Sequence, residues 1–389
     1  MIKKGLLIAF LAVMAVMLLI YPENGLNSAR FGLNIWFSSV LPALFPFMAA
    51  SFLLLETGVV RLISHVFAPV TRFLFFAPGE SAYVFLASAM SGYPVGARLS
   101  AELYANKQIT EAEAQRMIRF TSVSGPVFIT GTICSGLLGM PEAGAYLAAA
   151  HYLSAIAVGI LFGVFARRQH LKINNKPKER FSDAWIQFKK DAAGCPPVGD
   201  MLSSSIEKAL QVLLKVGGFI ILFSVVLEML KVTGVMDALR WVYMPVANMA
   251  GFSAESTQAL LYGGVEMTSG CAQAAALSLP VVIKLPLIAS IIAFGGLCIH
   301  LQTTAMTVSF GLKPKGFAFA KSIQAMLAFF FTSVLLSVFP LTTAAANFHA
   351  ETKTAAYGGV IFAAAAVLVL VFIKRWQKRR RRSAFPFAS

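Results

Sequence analysis

The sequence predicts an all-α polytopic membrane protein, with about eight transmembrane helices and two re-entrant hairpins in two inverted-topology repeats. Three observations predict it. Apolar runs of spanning length recur along the chain. Two further apolar stretches are broken by Gly, Pro and Ser. The second half repeats landmarks of the first in the same order. Composition agrees: 58% of the 389 residues are hydrophobic and 13% are charged, whereas a soluble domain carries about twice that charged fraction. So apolar a chain cannot cover a water-facing surface, and lipid must cover it instead.

The first element is the apolar run 5–21 behind Lys3 and Lys4. It resembles a signal peptide, but it is long enough for about 24 Å of helix and no clean A-x-A site follows, so an uncleaved first span is expected. Further spans are expected at 34–56, 120–140, 142–166, 207–231, 281–305, 317–340 and 356–373. The segment 57–76 carries Arg61, His65 and Arg72 on an amphipathic background and is expected to lie along the inner interface. The broken stretches are 81–97, with Ser91, Gly92, Pro94 and Gly96, and 256–277, with Gly263, Gly264, Glu266, Thr268, Ser269 and Gly270. Irregular backbone at membrane depth survives only where protein or a water-filled cavity satisfies it, which suits re-entrant hairpins. Residues 98–119 read as a polar helix, with Thr110 and Glu113 spaced as a capping box.

The net charge of +16 is concentrated rather than spread. One cluster is Arg167, Arg168, Lys172, Lys176, Lys178, Arg180, Lys189 and Lys190; the other is Lys374, Arg375, Lys378 and Arg379 to Arg382. Basic residues beside spans mark cytoplasmic loops, so both termini are expected in the cytoplasm and no nucleic acid is expected as a partner. Cys134, Cys195, Cys271 and Cys298 show neither a C-x-x-C pair nor metal spacing, so no metal, cofactor or disulfide framework is expected. No Walker A, G-x-S-x-G or H-E-x-x-H motif occurs, and the five His residues are scattered, so the chain does not read as an enzyme.

The internal match runs in order. Thr57-Gly58-Val59 recurs as Thr233-Gly234-Val235, and Pro69 falls at the offset of Pro245. Glu80-Ser81 recurs as Glu255-Ser256, Gly96 corresponds to Gly270, and Gly125-Pro126 lies where Gly295-Gly296 does. The chain thus divides into a first span and external loop (1–33), repeat one (34–166), a basic cytoplasmic connection (167–206), repeat two (207–340), and a last span with a basic tail (341–389). In the topology set by the basic clusters the two repeats enter the membrane from opposite sides. Inverted repeats with interrupted helices are the architecture of secondary transporters.

The residues Leu44-Phe45-Pro46-Phe47, Ser91-Gly92-Tyr93-Pro94-Val95-Gly96-Ala97, Ser124-Gly125-Pro126 and Glu266-Met267-Thr268-Ser269-Gly270 carry a resemblance. Over about 30–340 the chain resembles the sporulation integral membrane protein YlbJ (SpoVV) family of the nucleoside-recognition Gate domain group, itself similar in layout to concentrative nucleoside transporters. The resemblance implies export of dipicolinate from the mother cell across the outer forespore membrane. The first span and the arginine-rich tail carry no matching motif.

The candidate binding residues follow from chemistry at the breaks. In Ser91-Gly92-Tyr93-Pro94-Val95-Gly96 the glycines allow close backbone approach and Pro94 interrupts the helix. A freed helix N-terminus favours an anion, and Tyr93 can stack on a planar ring. Arg98 can bind a carboxylate bidentately or anchor at the interface. Glu266, with Thr268, Ser269 and Gly270, places an ionisable group at membrane depth, where it could bind a coupling proton or sodium ion. Ser124 and Gly125 interrupt the span 120–140, and Gln302, with His300, lies in the matching region of the second half; both can hydrogen-bond a polar ligand or another helix. The expected partners are a small anion, the bilayer and a coupling ion, with a second copy of the chain also open. A nucleoside transporter of the same layout and a non-transporting membrane scaffold are the competing readings.

Overall fold

In the computed structural model, residues 2–168, 181–249 and 251–341 are described, and every regular element among them is helical. The expected last span 356–373, the basic tail and the middle of the basic connection lie outside the described residues. Among the described residues five helices are long and apolar enough to cross a membrane, or six if one pair bent by 90° counts as a single span. The difference from eight has identifiable origins. The first apolar run lies in α1 (Ile2–Ile20), a helix of 19 residues that is not among the five. The expected span 120–140 is not one helix: α7 (Glu111–Thr121) ends there, 122–125 is non-helical, and a ten-residue π-helical segment, Phe128–Leu137, follows.

In the first half a 35-residue span, Pro22–Glu56, comprises α2 (Pro22–Ile35), a π-helical turn, Trp36–Val40, and α3 (Leu41–Glu56). The helix begins twelve residues before the apolar run, because Pro22 at its first turn has a φ already suited to helix, so much of the expected external loop is helical. Gly58 then takes a left-handed conformation, φ +73°, and starts the amphipathic α4 (Val59–Phe75), which contains Pro69. A sharp turn leads to α5 (Glu80–Ser91), a break at Gly92 and α6 (Tyr93–Ala105). Thr110 opens α7 with the expected capping box, its hydroxyl taking the Glu113 N–H while the Glu113 carboxylate takes the Thr110 N–H at 2.8 Å. After the broken segment, α8 (Ala143–Arg168) completes the half.

The linking helix is α9 (Phe181–Ala193). The second half opens with α10 (Val198–Val232), also 35 residues. Gly234, φ +75°, starts α11 (Val235–Met249), which contains Pro245. Then come α12 (Ala254–Val265), a break at Glu266, α13 (Met267–Ala276), α14 (Val281–Phe294), a break at Gly295, α15 (Gly296–Val308) and α16 (Phe317–Val338). A left-handed Gly follows each 35-residue span, and an internal Pro sits in each amphipathic helix.

The halves interlock. Helix α10 packs on α2 and α3, where Trp36 Nε1 donates to the Leu213 carbonyl at 3.0 Å. Helix α16 lies between α8 and α14. The Gln115 amide donates to the Lys313 carbonyl and accepts from the Lys315 N–H at 2.8 Å, tying α7 to the loop before α16.

Candidate functional site

The breaks at Gly92, 122–125 and Glu266, with the helix that follows Gly295, meet at one cavity of about 50 Å³. It is lined from α6 and its preceding turn by Gly92, Tyr93 and Pro94, from the broken span by Ser124, Gly125 and Phe128, from the α13 turn by Glu266, Met267 and Thr268, and from α15 by Cys298, Ile299 and Gln302; Val40, Leu44, Val216 and Ile220 close it. That volume holds a few waters, whereas a dry cavity that takes a benzene ring is nearer 150 Å³.

Each break is built by its own residues. Gly92 has φ +87° and ψ −179°, a region essentially reserved for glycine. The turn is locked by the Ser88 hydroxyl, which donates to the Gly92 carbonyl at 3.3 Å and accepts from the Val123 N–H at 3.3 Å. Helix α6 then starts with Tyr93 and Pro94 and no side-chain cap. Glu266 is extended, and its carboxylate accepts from the N–H groups of Thr268 at 2.9 Å and Ser269 at 2.7 Å. It is an N-cap at 4% exposure, so its charge is held by the first turn of α13.

Residues 122–125 are satisfied side chain by side chain. The Ser122 carbonyl accepts from Lys321 Nζ, the Ser124 N–H donates to His151 Nε2 at 2.9 Å, and Tyr152 donates to the Ser124 carbonyl at 2.9 Å. Three neighbouring side chains thus replace the helical bonds that this stretch gave up, as irregular backbone away from water requires.

Of the sequence-derived residues, Gly92, Tyr93, Pro94, Ser124, Gly125, Glu266, Thr268 and Gln302 line the cavity. Gln302 is 1% exposed, with its amide donating to Cys298 Sγ at 3.2 Å and its Oε1 without a partner. The others stand behind. Ser91 bonds Ser51 at 3.2 Å. Gly96 lets α6 approach the broken span: a Cβ there would meet Ser88 Oγ and the Thr121 carbonyl at 2.7 Å. At Gly270 it would meet the Gly263 Cα at 2.2 Å, so α12 and α13 touch backbone to backbone. Ser269 lines a second, wider pocket of about 280 Å³ with Ser224, Glu228, Lys231, Tyr262 and Gln273. Consecutive residues Thr268 and Ser269 therefore face different pockets, and the first turn of α13 partitions them.

Arg98 is not brought to the cavity. Its guanidinium lies over Phe52 at 5.2 Å and Phe310 at 6.0 Å, five residues along α6 from Tyr93. His300 turns its Nε2 to the Phe294 carbonyl at 3.1 Å and braces the break at Gly295.

Two residues outside the sequence-derived set belong here. Tyr93, whose hydroxyl bonds the Ile292 carbonyl of α14, has Lys321 Nζ 5.2 Å from its ring and His151 edge-on at 6.0 Å. Lys321 is the sole charged residue in 317–340, so the depth rule that points to Glu266 points to it as well.

Over 352 residues, covering 88% of the chain and 85% of the relative, the sequence is 30% identical to the sporulation integral membrane protein YlbJ of Bacillus subtilis (strain 168). The chain belongs to the YlbJ family. No family profile matches the chain, and no solved structure matches it.

Proposed function

We propose that this YlbJ-family protein is a transporter that moves a small planar solute between two inverted halves. The observation that carries the reading is the convergence of breaks from both halves on one cavity. Interrupted helices meeting near the middle of the bilayer are where secondary transporters bind their cargo. In this reading the two parts of the chain are inverted repeats and both termini are cytoplasmic. The family's role in sporulation supports the outer forespore membrane as the location and dipicolinate as the cargo.

The chemistry of the cavity adds a condition. Its charged lining group is Glu266, and no Lys or Arg lines it. An ionised dicarboxylate beside an ionised Glu266 is repelled in a low-dielectric site. Glu266 must therefore be neutralised, by a proton or a sodium ion, when an anion is bound, which couples the solute to that ion. The unpartnered Gln302 Oε1 also favours a solute that donates hydrogen bonds, and this supports a nucleoside as the second reading.

Purified protein in proteoliposomes tests both. Flux of pyridine-2,6-dicarboxylate and of uridine is followed with and without proton and sodium gradients. Gradient-dependent dicarboxylate flux is expected. Uridine flux alone selects the second reading, and vesicles impermeable to both favour a membrane scaffold.

A further inference from the structure

Lys321 lies beside the cavity with no carboxylate among the described residues paired to it. It is fully buried on α16. Its Nζ donates to the Ser122 carbonyl and, at 2.6 Å, to Gln324 Oε1, and it faces the Tyr93 and Phe317 rings at 5.2 and 5.4 Å. All of these groups are neutral, and Lys321 forms no salt bridge among the described residues. In the same cluster Ser122 Oγ and His151 Nδ1 are buried without hydrogen-bond partners. An ammonium in such a place is expensive, and an ionisable side chain at membrane depth calls for a named partner. Tyr93 shows where that partner is. The same side chain lines the cavity and lies against Lys321, so one aromatic ring separates the ammonium from the solute space.

We propose that Lys321 is the charge-recognition residue of this cavity. It supplies the positive charge that admits a carboxylate-bearing planar solute, and Tyr93 is the partition between them. Displacement of the Tyr93 ring lets a solute carboxylate replace the neutral oxygens of Gln324 and Ser122 as acceptors of the ammonium. A carboxylate adds an opposite charge that the neutral oxygens lack, and its attraction to the ammonium is strong in a low-dielectric site, so the exchange favours the anion over a neutral solute of equal shape. The inference rests on the transport reading and names the charge that the cavity wall itself lacks. The competing role for Lys321 is purely structural, as the cap on the carbonyl where α7 ends.

Charge selectivity separates the two. Proteoliposomes of the full chain are assayed with pyridine-2,6-dicarboxylate and with pyridine-2,6-dicarboxamide, which share a shape and differ in charge. Lys321→Gln is expected to lower the ratio of dicarboxylate to dicarboxamide flux by about tenfold or more, and Lys321→Arg to keep the wild-type preference. Gln324→Glu, which sets a carboxylate against the ammonium and leaves Lys321 in place, is expected to act like Lys321→Gln. It decides the matter if Lys321→Gln fails to reach the membrane. An unchanged ratio in these two variants, or an equal loss of both solutes, overturns the role given to Lys321 and leaves the transport reading standing. Wild-type vesicles that pass neither solute overturn the transport reading and this inference with it.

Discussion

The helix breaks at Gly92 and Glu266 meet the same cavity with opposite chemistry. At Gly92 the backbone enters a region that a side chain forbids, and α6 begins without a side-chain cap. At Glu266 the backbone is ordinary and extended, and the side chain caps α13 through two N–H groups. One helix N-terminus brings its own anion to the cavity and the other brings none. Elements that follow one another in the same order thus build an asymmetric site. The difference teaches that the residue at each break, and not the break alone, sets what the opening can hold.

Exchanging the chemistry of the turns is the strongest way to break the comparison. Glu266→Gln keeps the size of the side chain and removes its charge. It is expected to abolish the dependence of flux on a proton or sodium gradient; flux that still follows the gradient would assign coupling elsewhere. Glu266→Ala also removes the cap and is expected to cost about 1 kcal/mol of stability, read as a lower unfolding temperature in detergent. Gly92→Ala strains the other turn by about 1–3 kcal/mol. A lower melting temperature with reduced flux is expected, and wild-type values would show that this turn needs no glycine. Tyr93→Phe removes the hydroxyl that joins α6 to the Ile292 carbonyl. Leaving that buried carbonyl unpaired costs about 1–3 kcal/mol, and the same thermal scans check it, while Tyr93→Ala is expected to stop flux. The smallest effect on transport belongs to Arg98→Ala. It loses ring contacts with Phe52 and Phe310 worth about 0.5–2 kcal/mol but leaves the cavity lining intact. Dicarboxylate flux per folded molecule is expected to stay near wild type, and a large loss would place the guanidinium in the solute path.

The framework was legible because its signals are local. Gly58 and Gly234 end the long spans with left-handed backbone, Pro69 and Pro245 sit inside the amphipathic helices, and Thr110 with Glu113 forms its capping box. Each follows from one or two residues and the conformations they allow. The hairpin motif and Glu266 were legible for the same reason. The span 120–140 was less so: its hydropathy fits a crossing helix, yet 122–125 leaves the helix because α8 and α16 supply the missing hydrogen bonds.

By itself the sequence determined that the chain is a membrane-embedded helical protein with interrupted elements, because lipid excludes unsatisfied backbone and so constrains composition and break residues directly. Only the tertiary structure decided which side chains reach the cavity. Arg98 and Tyr93 lie on one short helix, yet its rotation sends one to Phe52 and the other to the cavity wall. Lys321 comes against Tyr93 from 228 positions further along the chain. Helix rotation and long-range packing are set by the whole bundle, and no local pattern in the chain encodes them.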